Sequence, residues 1–103
     1  MAMDMNRMMK EARKMQAELA KAQEEAALLT AEGTAGGGVV NVVATGEMVI
    51  ESISIDPSVV DPDDVEMLED LITAAVNEAL RSVKEATAVK MNAITGGLGI
   101  PGL

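Results

Sequence analysis

Among its 103 residues the chain has no phenylalanine, tyrosine or tryptophan. Any core must therefore be built from Val, Ile, Leu, Ala and nine Met, and no ring is present to stack on the bases of a single-stranded nucleic acid. Cysteine is absent too, which excludes a disulfide framework and thiolate metal sites. The lack of histidine removes the commonest general base and the commonest transition-metal ligand. A nucleophile would have to be Ser, Thr or Lys activated by a carboxylate, and neither a Ser-x-x-Lys nor a glycine-elbow arrangement occurs. The chain reads as a protein without catalysis, cofactor or metal. No run approaches the roughly 18 apolar residues of a membrane span, and the charged N-terminus lacks the apolar stretch of a secretory signal. A cytoplasmic location is the expectation.

Positive charge is scarce. Eight Lys and Arg stand against seventeen Asp and Glu, a net charge of −9 that repels polyanions at long range. Its distribution is uneven. Residues 1–25 hold five cations and five anions, whereas residues 46–70 hold nine carboxylates and no cation.

What the chain does have is a seven-residue grammar at its start. Met5, Met8, Ala12, Met15, Leu19, Ala22, Ala26 and Leu29 step alternately by three and four, so they lie on one stripe of a helix. Arg7 with Glu11, Lys14 with Glu18 and Lys21 with Glu25 repeat at the same period, each close enough to pair across one turn. The spacing predicts a helix over 4–29 with Asp4 as its cap. Such a helix needs something to cover its seam: its own twin, the last helix or a foreign partner.

Four glycines within residues 33–38 then break the helix. They are not followed by Lys and Ser/Thr and they precede a strand, so a strand-to-strand turn fits better than a phosphate loop. Residues 39–45 and 48–55 are rich in β-branched residues and flank Gly46-Glu47, which predicts a hairpin. Residues 29–35 are the candidate third strand, giving a sheet over 30–56. Val40 and Val42 would line one face and Val39 and Val43 the other, leaving the second face to be covered by another subunit. Asp61 as cap and Pro62 as first helical residue predict a second long helix over 61–91, with Leu68, Leu71, Ile72, Ala75, Ala79, Leu80 and Val83 at helical spacing. The acids Asp61, Asp63, Asp64 and Glu66 suit a helix start and miss the calcium-loop pattern, since Val65 and Glu66 stand where that loop needs an oxygen ligand and a glycine. Residues 95–103 form a Gly/Pro-rich tail. The reading is a single α+β domain, α-β-β-β-α, with a small antiparallel sheet flanked by two long helices.

The candidate binding surface is the cation set of the first helix. Arg7, Lys10, Arg13 and Lys14 fall within two turns, with Lys21 beyond them; Arg81, Lys84 and Lys90 are the cations of the last helix. Lysines and arginines on a helix arm suit phosphate contact, which carries no base specificity by itself. On charge alone they read equally as the solvated face of an amphipathic helix.

Three segments in order sharpen this. NRMMKEARKMQAELAKAQEE, then EGTAGGGVVNVVATGE with ISIDPSVVDPDDVEMLEDLITAAVNEA, then TGGL, resemble the YbaB/EbfC family of bacterial nucleoid-associated proteins over nearly the whole chain. The resemblance implies a homodimer joined through its sheets with the long helices projecting as paired arms. It also implies binding of duplex DNA with little or modest sequence specificity, altering its conformation and contributing to nucleoid organisation and gene regulation. Carried over by region, the implied DNA contacts are Arg7, Lys10, Arg13, Lys14 and Lys21, with Arg81, Lys84 and Lys90 from the last helix. The alternative is a protein-interaction module, its Met-rich seam docking a helical replication or recombination protein.

Overall fold

The computed structural model describes residues 4–96. The order of elements is α1 (Met5–Ala27), β1 (Thr30–Ala35), β2 (Val40–Thr45), β3 (Ile50–Ile55), a 3₁₀ turn (Pro57–Val59) and α2 (Val65–Gly96). The α-β-β-β-α reading is therefore correct. The strands form one antiparallel sheet in the order β1-β2-β3.

Several boundaries differ from expectation, each for a local reason. Asp4 does cap α1, its Oδ1 accepting from the Arg7 N–H at 3.0 Å. The helix stops at Ala27 rather than 29, because the Leu29 carbonyl turns to accept the Gly46 N–H at 2.8 Å and so starts the sheet. β3 begins at Ile50 rather than Met48. Met48 closes the hairpin turn by donating to the Thr45 carbonyl, and its φ of 64° takes it out of the extended region. Glu51 is the extra residue of a bulge, since Val43 pairs with Ser52 and Ala44 with Ile50.

At α2 the capping residue is Asp64, whose Oδ1 accepts the Met67 N–H at 3.2 Å; the helix starts at Val65, not Asp61. Asp61 instead closes a tight turn around Pro62, taking the Asp63 N–H on its side chain and the Asp64 N–H on its carbonyl. The helix also runs past 91 to Gly96, so Thr95 and Gly96 are helical, and the rest of the expected tail lies outside the described residues. The glycine run is the β1–β2 turn, with Gly36, Gly37 and Gly38 all at positive φ.

The core sits between α2 and one face of the sheet. Val40, Val42 and Ala44 of β2 meet Ala75, Ala79 and Val83 of α2, and all six are fully buried. Each of the three buried valines contributes about 1.5–3 kcal/mol, so this core is small. Its geometry depends on Gly33, which stands in register with Val42; a Cβ there would fall inside the α2 backbone at Ala75 and Ala79. The helix lies against β1 and β2 and leaves Ile53 of β3, the other neighbour of Val42, 46% exposed.

The opposite face of the sheet is not the apolar surface expected. Val39 belongs to the turn and packs against the core, and Val43 stands among Glu32, Asn41, Thr45 and Ser52. Residues one position apart on a strand face opposite ways, and here the outward set is mostly Thr, Ser, Glu and Asn.

The molecule is long. Its radius of gyration is 20.6 Å, against about 13 Å for a compact chain of this length. The replacement Gly33→Ala should lower stability by about 3 kcal/mol or more, because backbone on both sides must separate to admit the methyl group. Urea denaturation followed by circular dichroism checks it; a loss below about 1 kcal/mol would mean the helix–sheet spacing is not set there.

Candidate nucleic-acid interface

The arm is built on a helical base. α2 runs antiparallel to α1: Lys90 reaches Glu25, and Ile94, a turn further on, lies beside Ala22 and Glu18. Ala22 and Ala26 are buried in this contact, and Met15 and Leu19 are half-buried. The last helix thus covers the C-terminal half of the α1 seam. A second pin holds the root of the arm, where Gly46 lets the β2–β3 turn approach the Ala26 carbonyl so closely that a Cβ would collide with it.

Among the described residues nothing beyond that base supports the arm. Every residue from Asp4 to Lys14 is exposed, including the seam residues Met5 and Met8 at 64% and 52%. This projecting stretch is about 16 Å of helix. On it lie four of the expected contacts, Arg7, Lys10, Arg13 and Lys14, and Lys21 follows at the base; all five are exposed. At 3.6 residues per turn, Arg7, Lys10, Lys14 and Lys21 fall within about 60° of one another in a line about 21 Å long, with Arg13 to one side.

Charge separates along the molecule. Residues 4–21 carry five cations and three carboxylates; the remainder carries three cations and fourteen carboxylates. The projecting half is therefore net +2 on a protein that is −9 overall, and the sheet with the start of α2 carries the acid.

The ion pairs differ from those the i,i+4 repeat suggests. Arg7 and Glu11 do meet at 3.6 Å, both largely exposed, an arrangement of small energetic value that a phosphate can displace. Among the described residues no pair forms between Lys14 and Glu18 or between Lys21 and Glu25. Glu25 turns instead to Lys90, whose Nζ donates to its Oε2 at 2.9 Å. That hydrogen bond and the lysine's charge hold the Glu25 carboxyl below the usual glutamate range, with Lys21 adding a weaker push the same way. The sequence carries a signal for this that pair-spacing misses: Lys90 follows Val83 by seven residues, on the buried stripe of α2 rather than on its free face. Arg81 and Lys84 are exposed and point away from that stripe.

Comparison with known proteins decides the lineage. The model of the YbaB/EbfC DNA-binding family matches residues 1–98. The chain belongs to the YbaB/EbfC family. It is 58% identical over 100 residues to a nucleoid-associated protein of Desulforamulus reducens, covering 97% of this chain and 95% of that one. It is 56% identical over 101 residues to a nucleoid-associated protein of Acetivibrio thermocellus, covering 97% and 89%. A crystal structure of an uncharacterized protein from Helicobacter pylori shares the fold with a TM-score of 0.68 at 23% identity, covering 94% of this chain and 99% of that one. The description of the YbaB/EbfC family names DNA and no protein partner. Among the described residues no helix is long and apolar enough to cross a membrane.

The Glu25–Lys90 pair has a defined pH signature. A carboxyl held below its usual range stabilises the fold fully above that range and loses its contribution as pH falls through the lowered value. The stability gap between the native chain and Glu25→Gln should therefore be largest near neutrality and close as the pH drops below the ordinary glutamate range. Denaturation midpoints at about pH 7 and pH 3 test this, and a gap that widens in acid would overturn it.

Proposed function

We propose that this protein binds duplex DNA as a homodimer, with little or modest sequence specificity, and that it does so through the cations of its α1 arms. The observation that carries the reading is the exposed line Arg7, Lys10, Lys14 and Lys21, with Arg13 beside it, on a helix that leaves the body of the molecule. Membership of a DNA-binding family and the names of its relatives support the same ligand.

Phosphate contacts dominate the binding and give affinity without reading bases. Arg81 and Lys84 are secondary contacts; Lys90 contributes less, because Glu25 already engages it. Two arms on one dimer give two points of attachment, which bend or bridge the duplex and so serve nucleoid organisation and gene regulation in the cytoplasm. The acids at the start of α2 repel DNA from the body and leave the arms as the approach.

Two features support the sheet as the dimer joint. Ile53 on the uncovered part of the inner face, with Met48 and Val49 in the adjoining turn, leaves apolar surface exposed. On the outer face Asn41, in register with Thr34 and Ser54, buries its Oδ1 with no hydrogen-bond donor in reach among the described residues. A buried acceptor in that state costs about 1–3 kcal/mol, which a donor from a second subunit would recover.

Fluorescence anisotropy of a labelled duplex of about 30 base pairs tests the reading. Five phosphate contacts predict an affinity loss of about 500-fold between 50 and 200 mM salt. The triple replacement of Lys10, Arg13 and Lys14 by Gln should abolish most of that binding and flatten the salt slope by about 0.9 for each phosphate no longer neutralised. No binding at low salt would sink the proposal. Neutralising Asp63, Asp64 and Glu66 as Asn, Asn and Gln, which keeps a cap at position 64, should tighten binding several-fold and broaden the footprint. Unchanged affinity and footprint would remove the orienting role of the acids.

A further inference from the structure

The exclusion of metals drawn from composition covers thiolate and imidazole ligands, and among the described residues no cluster of carboxylates is arranged to hold an ion. One donor is left, the methionine thioether, of which the chain has nine. Three of these fall in one turn of α1. Met5, Met8 and Met9 stand at i, i+3 and i+4 and are 64%, 52% and 49% exposed. At about 100° per residue, Met8 lies about 60° to one side of Met5 and Met9 about 40° to the other. Residues three and four apart on a helix have Cβ atoms about 5–6 Å from one another, and the unbranched methionine side chain adapts through three rotatable bonds. Three sulfurs so placed can converge on a single point above the helix surface. Seam packing does not account for the whole set: the alternating three-and-four step takes in Met5 and Met8 and passes over Met9.

We propose that Met5, Met8 and Met9 form a thioether site for a soft monovalent cation, copper(I) being the biological member of that class. Thioether sulfur is neutral and polarizable, and it selects copper(I) over the harder divalent ions that carboxylates take. No stronger soft donor competes within the chain, which has neither Cys nor His. The local charge admits a monovalent ion, because Asp4 and Glu11 balance Arg7 and Lys10 across residues 4–11. Other exposed methionines lack such company. Met48 stands in the β2–β3 turn and Met67 near the start of α2, each with no second Met within four residues. One thioether alone holds such an ion weakly, so the grouping of three is what makes a site.

Two properties follow from the donor and its place. A thioether has no proton to lose, so occupancy is independent of pH, whereas an ion held by carboxylates is released as they protonate. The triad is also centred about 180° round the helix from Arg7, Lys10 and Lys14. An ion on the sulfurs and a phosphate on the cations therefore do not exclude one another, and the site stands or falls apart from DNA binding.

Silver(I), the air-stable congener of copper(I), is the probe, used with the full chain in chloride-free buffer. With isotope-labelled methionine methyl groups, titration should shift the Met5, Met8 and Met9 resonances together and saturate near about one ion per chain, while Met48 and Met67 stay in place. Calorimetric affinity should fall about tenfold or more in the Met5→Leu, Met8→Leu, Met9→Leu variant and stay within about twofold in Met48→Leu with Met67→Leu. Leucine keeps volume and helix propensity, so both variants should match the native chain by circular dichroism. Affinity should be equal at about pH 5 and about pH 7.5, and zinc binding should not respond to loss of the triad. Copper(I) kept reduced by ascorbate under nitrogen should show the same difference between the native chain and the triad variant. No silver binding, shifts spread evenly over all the methionines, an affinity unchanged in the triad variant, or one that falls steeply in acid would overturn the proposal.

Discussion

Everything in this molecule depends on how closely α2 can lie on the sheet. Gly33 and the facing turn of Ala75 and Ala79 remove the side chains that would hold the two layers apart, so helix backbone rests almost on strand backbone. In a chain without aromatic rings this is how a small core excludes water: close approach of small groups takes the place of large side chains filling a gap. The same contact aims α2. Once seated on β1 and β2 through Ala75, Ala79 and Val83, the helix has more than three turns left, and these leave the sheet and become the wall on which α1 leans. Glu25–Lys90 and the Ala22–Ala26 contact are consequences of that trajectory.

Much of the fold was readable from residue order, because periodicity and turn chemistry are local. The heptad stripe, the Asp4 cap, the glycine turn and the second helix follow from patterns within a few residues of each other. The misreadings fall where two local signals compete or where a distant partner decides. Asp61-Pro62 and Asp64 both look like helix starts; Asp61 is taken up in the turn around Pro62, and Asp64 is left to cap the helix. Val39 alternates like a strand residue, yet the turn claims it and turns it toward the core. Glu25 sits four residues after Lys21 and pairs with a lysine sixty-five residues away, an outcome that only the packing of two helices produces. Of the candidate interface, the cations and their common face were legible. That α2 covers only the inner half of the arm was not, since that depends on where two helices cross.

The charge of −9 looks adverse to a polyanion ligand only when it is treated as a single number. Spread along a body 79 Å long, with a Debye length near 8 Å at physiological salt, charges at opposite ends act almost independently. An incoming phosphate near Arg7 or Lys10 feels the arm and hardly feels Asp61 or Glu66. The acid at the far end lowers overall affinity only modestly, by disfavouring poses that bring DNA to the body, and so mainly sets approach and orientation.

The extents of 79 × 25 × 16 Å also bear on how the protein behaves in flow. A rod drags far more solvent than a sphere of equal mass, so it leaves a sizing column early and diffuses slowly. One chain of this shape will travel like a globular protein of considerably greater mass, and retention volume alone will make a single subunit pass for an assembly. Subunit number for this molecule has to come from a quantity that does not depend on friction, such as scattered intensity or sedimentation equilibrium.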